Sequence, residues 1–153
     1  MLAMLHGLGP TAAGLMAIPG AAGIFVSWPA GRWMDASGPR PVVMTAIAVI
    51  LTAFATLAFA AHSVWIVVLG AILLDCGLRA SLVANQTAVN ALEPHARSRI
   101  ATIYASHMWG GNAVGAFLGS TAMAHGGWLA VCAVAATASL IAIGIQWGLV
   151  RRR

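Results

Sequence analysis

The sequence predicts an all-α integral membrane protein with five transmembrane helices, and three observations carry that prediction. Of the 153 residues, 61% are hydrophobic and only 7% are charged, with a mean hydropathy of +0.91. A soluble domain carries roughly a quarter charged residues, so a water-soluble core of this composition would lack a surface. The apolar residues form runs long enough to cross a hydrocarbon core, which takes about 20 residues of helix. Finally, all but two of the charges fall between those runs or at their ends.

Taken in order, the spans are predicted at residues 11–30, 41–61, 64–92, 100–124 and 128–150, within a single membrane domain covering 1–153. Residues 1–9 are apolar but too short to cross a bilayer, and Met1-Leu2-Ala3-Met4-Leu5 has no basic residues of the kind that open a signal peptide. Pro19-Gly20 predicts a kink in the first span. The second ends at the polar tip Ala61-His62-Ser63, and the third at Glu93-Pro94, because proline cannot continue the hydrogen-bond ladder. The fourth follows Arg97 and Arg99 and turns at His125-Gly126-Gly127; the fifth is closed by Arg151-Arg152-Arg153.

The eight basic residues are all arginine, and the formal charge is +5. A nucleic-acid partner is excluded, because the arginines alternate with apolar spans and form no basic face. Arg32, Arg40, Arg97, Arg99 and the terminal triplet all fall on one side of the predicted membrane, while the opposite loops carry only His62 and His125. Basic residues are retained in the cytoplasm, so the C-terminus is placed there. Cys76 and Cys132 lie inside apolar runs and read as small apolar fillers. No metal- or cofactor-binding pattern is present. A Gly-x-Ser-x-Gly elbow and a His-Glu-x-x-His motif are both missing, and Ser106 and His107, being adjacent, do not face each other on a helix. These observations disfavour an enzyme. The six tryptophans sit mostly near span ends, as interfacial anchors do.

Two features inside the spans call for explanation. Asp75 and Arg79 lie within the third, where each charge costs about 2.5–3.5 kcal/mol to insert. At 100° per residue, Asp75, Arg79, Gln86 and Asn90 fall at about 0°, 40°, 20° and 60°, a single stripe. Two readings fit it: an internal ion pair that glues helices together, or a surface that contacts a solute or a proton. Asn85 and Ser81 are expected to point elsewhere and bond a neighbouring helix. In the fourth span Gly111, Gly115 and Gly119 recur every four residues, a spacing that admits a close helix neighbour, and His107 shares their face. His107 could titrate near neutral pH, or simply bond within the helix packing.

Between the first two spans stands Gly31-Arg32-Trp33-Met34-Asp35-Ala36-Ser37-Gly38-Pro39-Arg40, expected as a charged hairpin of about ten residues at the cytoplasmic face. Its Gly-x-x-x-Asp-x-x-Gly-x-Arg pattern, carried by Gly31, Asp35, Gly38 and Arg40, resembles the loop motif of the major facilitator superfamily of secondary transporters. Ala36 and Pro41 depart from it, where basic residues are usual. The resemblance extends through Asp75-x-Gly77, Ala84-Asn85-Gln86-Thr87, Leu92-x-Pro94-x-Ala96-Arg97-Ser98-Arg99, Gly110-Gly111-x-x-x-Gly115 and Gly126-Gly127-Trp128, which look like bacterial drug- and sugar-efflux members. Arg79 departs, where a neutral polar residue is usual.

That family's fold has twelve helices in two halves, with the solute site between the halves at mid-membrane. The resemblance implies that this chain corresponds to helices eight to twelve, with residues 1–9 as the tail of helix seven. The first half would then be missing, through a truncated or wrongly started reading frame or because other helices associate. It further implies a bacterial inner-membrane protein, with the lipid bilayer, a small organic solute or drug, protons and the absent N-terminal half as partners. The activity implied is proton-coupled export. The alternative is a transport-inactive membrane fragment or helix-bundle assembly partner.

The segregated arginines predict that a reporter fused after Arg153 is active only in the cytoplasm. Cysteines placed at residues 62 and 125 should react with an impermeant reagent from outside, and one at residue 37 only after permeabilisation. Activity of the reporter outside the cytoplasm would overturn this topology.

Overall fold

The computed structural model describes residues 24–92 and 96–150. Its helices are α1 Ile24–Ser37, α2 Pro39–Ala58, α3 Val64–Asn90 and α4 Arg97–Val150, with a 3₁₀ turn at Ala60–His62 between α2 and α3. Among the described residues every regular element is helical, as the composition requires. Three helices are long and apolar enough to cross a membrane: Pro39–Ala58, Val64–Asn90 and Ser98–Gly148. The first two correspond to the spans expected at 41–61 and 64–92. Most of the span expected at 11–30, including its Pro19-Gly20 kink, lies outside the described residues.

The charged hairpin is not a loop. α1 runs straight through Arg32 and Asp35 to Ser37, and a single residue, Gly38, separates it from α2. Charge ends the stretch of a helix that can lie in hydrocarbon, but it does not end the helix itself. That takes a change of backbone conformation. Gly38 supplies it with φ 78° and ψ 175°, a region essentially confined to glycine, and its N–H donates to the carbonyl of Met34 at 2.8 Å. Pro39 then opens α2 in the first turn, where a missing N–H costs no helical hydrogen bond.

α4 breaks in the same way. It spans 54 residues and contains one non-helical residue, Gly127, with φ 65° and ψ −160°. The chain reverses there. Beyond the break the Trp128 indole N–H donates to the carbonyl of Leu57 near the end of α2, at 2.7 Å. Ala142 and Ile143, further on, pack against the cluster that holds Val42 and Val43 at the start of α2. The second half of α4 therefore runs antiparallel to α2. The stretches 100–124 and 128–150, expected as two spans, fall on either side of the break at Gly127.

Between α2 and α3, Ser63 is the N-cap of α3, its hydroxyl accepting from the N–H of Trp65 at 3.2 Å. From there α3 returns antiparallel along α2 in a close seam. A Cβ built on Gly70 would lie 2.5 Å from Leu57 Cγ, and one on Gly77 would lie 2.7 Å from Ile50 Cγ1 and 3.0 Å from the carbonyl oxygen of Ala46. Ala84, the next position at the same seven-residue interval, is fully buried in the core cluster with Val43. Ala46, Ala53 and Ala60 repeat at the same interval on the α2 side, and all are buried. The two helices interlock through small residues once every two turns.

Among the described residues the four-residue glycine stripe is not such a seam. A Cβ added at Gly111, Gly115 or Gly119 would meet nothing within 4 Å. The expected close neighbour of that face is not among the described helices; the close approach falls at Gly70 and Gly77 instead. Gly77→Ala should therefore destabilise the fold by about 1–3 kcal/mol, because backbone as well as side chain must give way. Gly115→Ala should be neutral or slightly stabilising through helix propensity. Unfolding by titration with a denaturing detergent checks both, and equal effects of the two substitutions would remove the distinction.

Candidate functional site

α3 presents two opposite faces. Taking Asp75 as zero at 100° per residue, Gly70, Gly77 and Ala84 fall at about 220°, 200° and 180°, and Asp75 and Arg79 at about 0° and 40°. The seam against α2 thus turns the charged pair directly away from α2. Asp75 and Arg79 are one turn apart, and Arg79 Nε donates to Asp75 Oδ2 at 2.9 Å. Asp75 is the less exposed partner, with 25% of its side chain accessible against 42% for Arg79. Among the described residues this is the ion pair of the chain. Gln86 and Asn90 continue the stripe towards the end of α3, and both are exposed.

Ser81 and Asn85, expected to bond a neighbouring helix, bond each other among the described residues. The Asn85 amide donates to the Ser81 carbonyl at 2.9 Å and to its hydroxyl at 3.1 Å, both on its own helix. The two residues share with Arg79 the wall of a groove of about 470 Å³ between α3 and the first half of α4. The facing wall is Tyr104, Met108 and Asn112, which recur at four-residue intervals and so lie along one side of their helix. Sequence analysis passed over Tyr104 and Asn112. The signal was their eight-residue separation, which sets two polar side chains on one face of an otherwise apolar span.

His107 does not join this groove. Its ring is exposed, and Nδ1 donates to the carbonyl of Ile103 one turn back, at 2.8 Å. His125 does the same with Thr121 at 2.9 Å, and so do the hydroxyls of Thr56, Thr102, Ser106, Thr137 and Ser139 with carbonyls one turn earlier. This is how short polar side chains are accommodated where water is scarce.

At the other end of α3, Asp35 and Arg40 are exposed. Asp35 has no ion-pair partner among the described residues, while the Arg32 guanidinium stacks over the Trp28 ring at 5.0 Å. Arg40, Ser37 and Gly38 line a second groove of about 480 Å³, closed on the far side by Thr87, Ala88 and Ala91. Of the motif residues, Gly38 and Arg40 thus lie at the junction of α1 with α2, against the end of α3. They do not touch the Asp75–Arg79 pair. A third, apolar groove of about 340 Å³ includes Pro29, Trp33 and Cys76. Cys76 and Cys132 are free thiols, and Cys132 is buried.

Comparison with known proteins places this geometry in context. The family model of the Major Facilitator Superfamily matches residues 1–153. The uncharacterized transporter YgaY of Escherichia coli, in strains K12 and O157:H7, is 29% identical over 119 residues. That alignment takes in 78% of this chain and 30% of each relative, so the chain spans about a third of the length of the curated relatives it matches. No solved structure matches.

If Asp75 and Arg79 neutralise each other in the apolar span, removing one partner strands a charge that removing both does not. Asp75→Asn and Arg79→Gln should each destabilise the chain more than the double substitution does, with a coupling of about 1 kcal/mol. A double-mutant cycle on unfolding in detergent micelles measures it. Strict additivity of the two changes would show that the pair contributes nothing as a pair.

Proposed function

The chain belongs to the major facilitator superfamily, and from that premise we propose that it forms the C-terminal part of a secondary transporter exporting a small organic solute or drug in exchange for protons. In this reading the chain supplies five membrane spans, corresponding to helices eight to twelve of a twelve-helix fold, in a bacterial inner membrane with the C-terminus in the cytoplasm. The observation that carries the reading is the Asp75–Arg79 pair, turned away from the α2–α3 seam inside an apolar helix. A pair meant only to lock α3 to α2 would lie on the seam side. On the opposite face, with Gln86 and Asn90 in line, it is available to a solute or a proton. The relatives' designation as transporters agrees with this. Because the chain spans about a third of those relatives, transport itself is assigned to the twelve-helix assembly, with solute and protons as its further partners.

Asp35 has a separate role in this proposal. Exposed at the end of α1, it is free to meet the positive N-terminal end of a helix in the opposite half and hold the cytoplasmic ends together in one conformation. The reading is tested in inside-out vesicles containing a twelve-helix transporter with this chain as its C-terminal part. Addition of an exported solute should dissipate an imposed proton gradient. Asp35→Asn should slow that flux by about tenfold, the scale of a typical coupling between conformations, while leaving the stability of the isolated chain unchanged. Absence of any solute-dependent proton movement would favour the alternative, a helix-bundle assembly partner without transport.

A further inference from the structure

We propose that the groove between α3 and the first half of α4 is a binding subsite for a small organic monoanion, an amphipathic carboxylate whose charged end meets Arg79 and whose body lies against Leu82 and Met108. Calling its occupant the transported solute rests on the transporter reading above; the binding itself does not.

The hydrogen-bonding inventory selects the charge. A guanidinium offers five N–H donors on two usable edges. Arg79 uses Nε towards Asp75, which leaves the terminal pair of nitrogens without a partner among the described residues. That end-on edge is the one that accepts a carboxylate through two parallel bonds. Across the groove stand Tyr104 and Asn112, whose hydroxyl and amide groups are further donors and form no side-chain hydrogen bond among the described residues. A cation finds no comparable site, because the one carboxylate in reach, Asp75, is already held by Arg79.

The remaining walls select the body. Leu78, Leu82 and Met108 are apolar, so a small hydrophilic anion such as inorganic phosphate would leave them facing a hydrated charge. A volume of about 470 Å³ is in the range that takes a drug-sized molecule. Asp75 also sets a limit. Its negative charge beside Arg79 opposes a second anion, so it weakens the binding that Arg79 provides. The two members of the pair therefore have opposite effects on an anionic ligand, whereas as structural glue they would have the same effect.

That difference in sign is the test. The 153-residue chain is placed in lipid nanodiscs and titrated with 1-naphthoate and with its uncharged isostere 1-naphthamide, against empty nanodiscs. The chain should bind naphthoate more tightly than naphthamide. Arg79→Gln should lower naphthoate affinity by about tenfold or more, the scale of a lost charge-assisted contact, and leave naphthamide unaffected. Asp75→Asn should raise naphthoate affinity, by roughly threefold to tenfold. Asn112→Leu, at an exposed position whose side chain has no hydrogen bond among the described residues, should weaken naphthoate even if Arg79→Gln proves unstable. Equal binding of the two probes, or no naphthoate binding by the folded chain, would overturn the subsite. So would shifts of the same sign from Asp75→Asn and Arg79→Gln. If the anion binds as described but the twelve-helix protein moves no solute, the transporter reading fails and the subsite stands. If transport proceeds but is indifferent to Arg79→Gln, the occupant of the subsite is not the transported solute.

Discussion

The close contact of α2 with α3 is the constraint on which the rest of the described structure depends. In lipid, apolar side chains gain little by leaving one hydrocarbon environment for another, so helices associate through van der Waals fit. Fit requires that backbones come near, and here two missing Cβ atoms, at Gly70 and Gly77, permit it. The seam then continues into Ala84, which enters the cluster formed by Val42, Val43, Ile47, Ala30 and Met34. Through that cluster α1 is seated on α2, and Ala142 and Ile143 bring the second half of α4 against the same place.

Outside the seam, most apolar surface of the described helices is not covered by other described residues. In the most apolar window of α4 only 11% of the residues are buried, and large side chains such as Phe117, Ile141 and Ile145 are more than half exposed. In water such a surface would drive aggregation. In a bilayer it is the ordinary outer surface of a helix, satisfied by acyl chains or by further helices. The polar groups follow the same logic. Hydroxyls and imidazoles along α2 and α4 close onto carbonyls of their own helix, and no buried side-chain nitrogen or oxygen among the described residues lacks a partner.

How much of this could be read from the sequence varies with the kind of signal. Membrane class and helical spans follow from composition and run length, and the helices at 39–58 and 64–90 fall close to their expected places. The junctions were legible as glycines, but their brevity was not. Nothing in a list of charges says that α1 continues through Asp35 to Ser37, because a helix emerging from a membrane stays helical until a residue such as Gly38 allows it to stop. The seam was missed for a different reason. Glycine at every fourth position, as at Gly111, Gly115 and Gly119, stands out by eye, whereas one glycine in seven does not. Yet among the described residues it is the seven-residue pattern that has partners, Leu57 and Ile50, at the same interval on the neighbouring helix. The pairing of Asp75 with Arg79 was readable, since it is local. The company they keep was not, because Tyr104 and Asn112 arrive from another helix whose position depends on the turn after Asn90.

The seam also explains why the charged pair faces one direction. Rotating α3 by a single residue moves every side chain by about 100°, which would carry Gly70 and Gly77 off the contact and put larger residues in their place. Cys76 and Leu78 flank Gly77, and neither could sit where its Cβ would lie 2.7 Å from Ile50. The glycines therefore fix the rotation of α3 as well as its distance from α2. Asp75 and Arg79 inherit that orientation, about half a turn of the helix away from the seam. The place of Arg79 on the wall of the groove is thus determined by residues that do not touch it. Substitutions along the seam can alter the pair's surroundings without altering the pair, and the chemistry of the site is inseparable from the packing behind it.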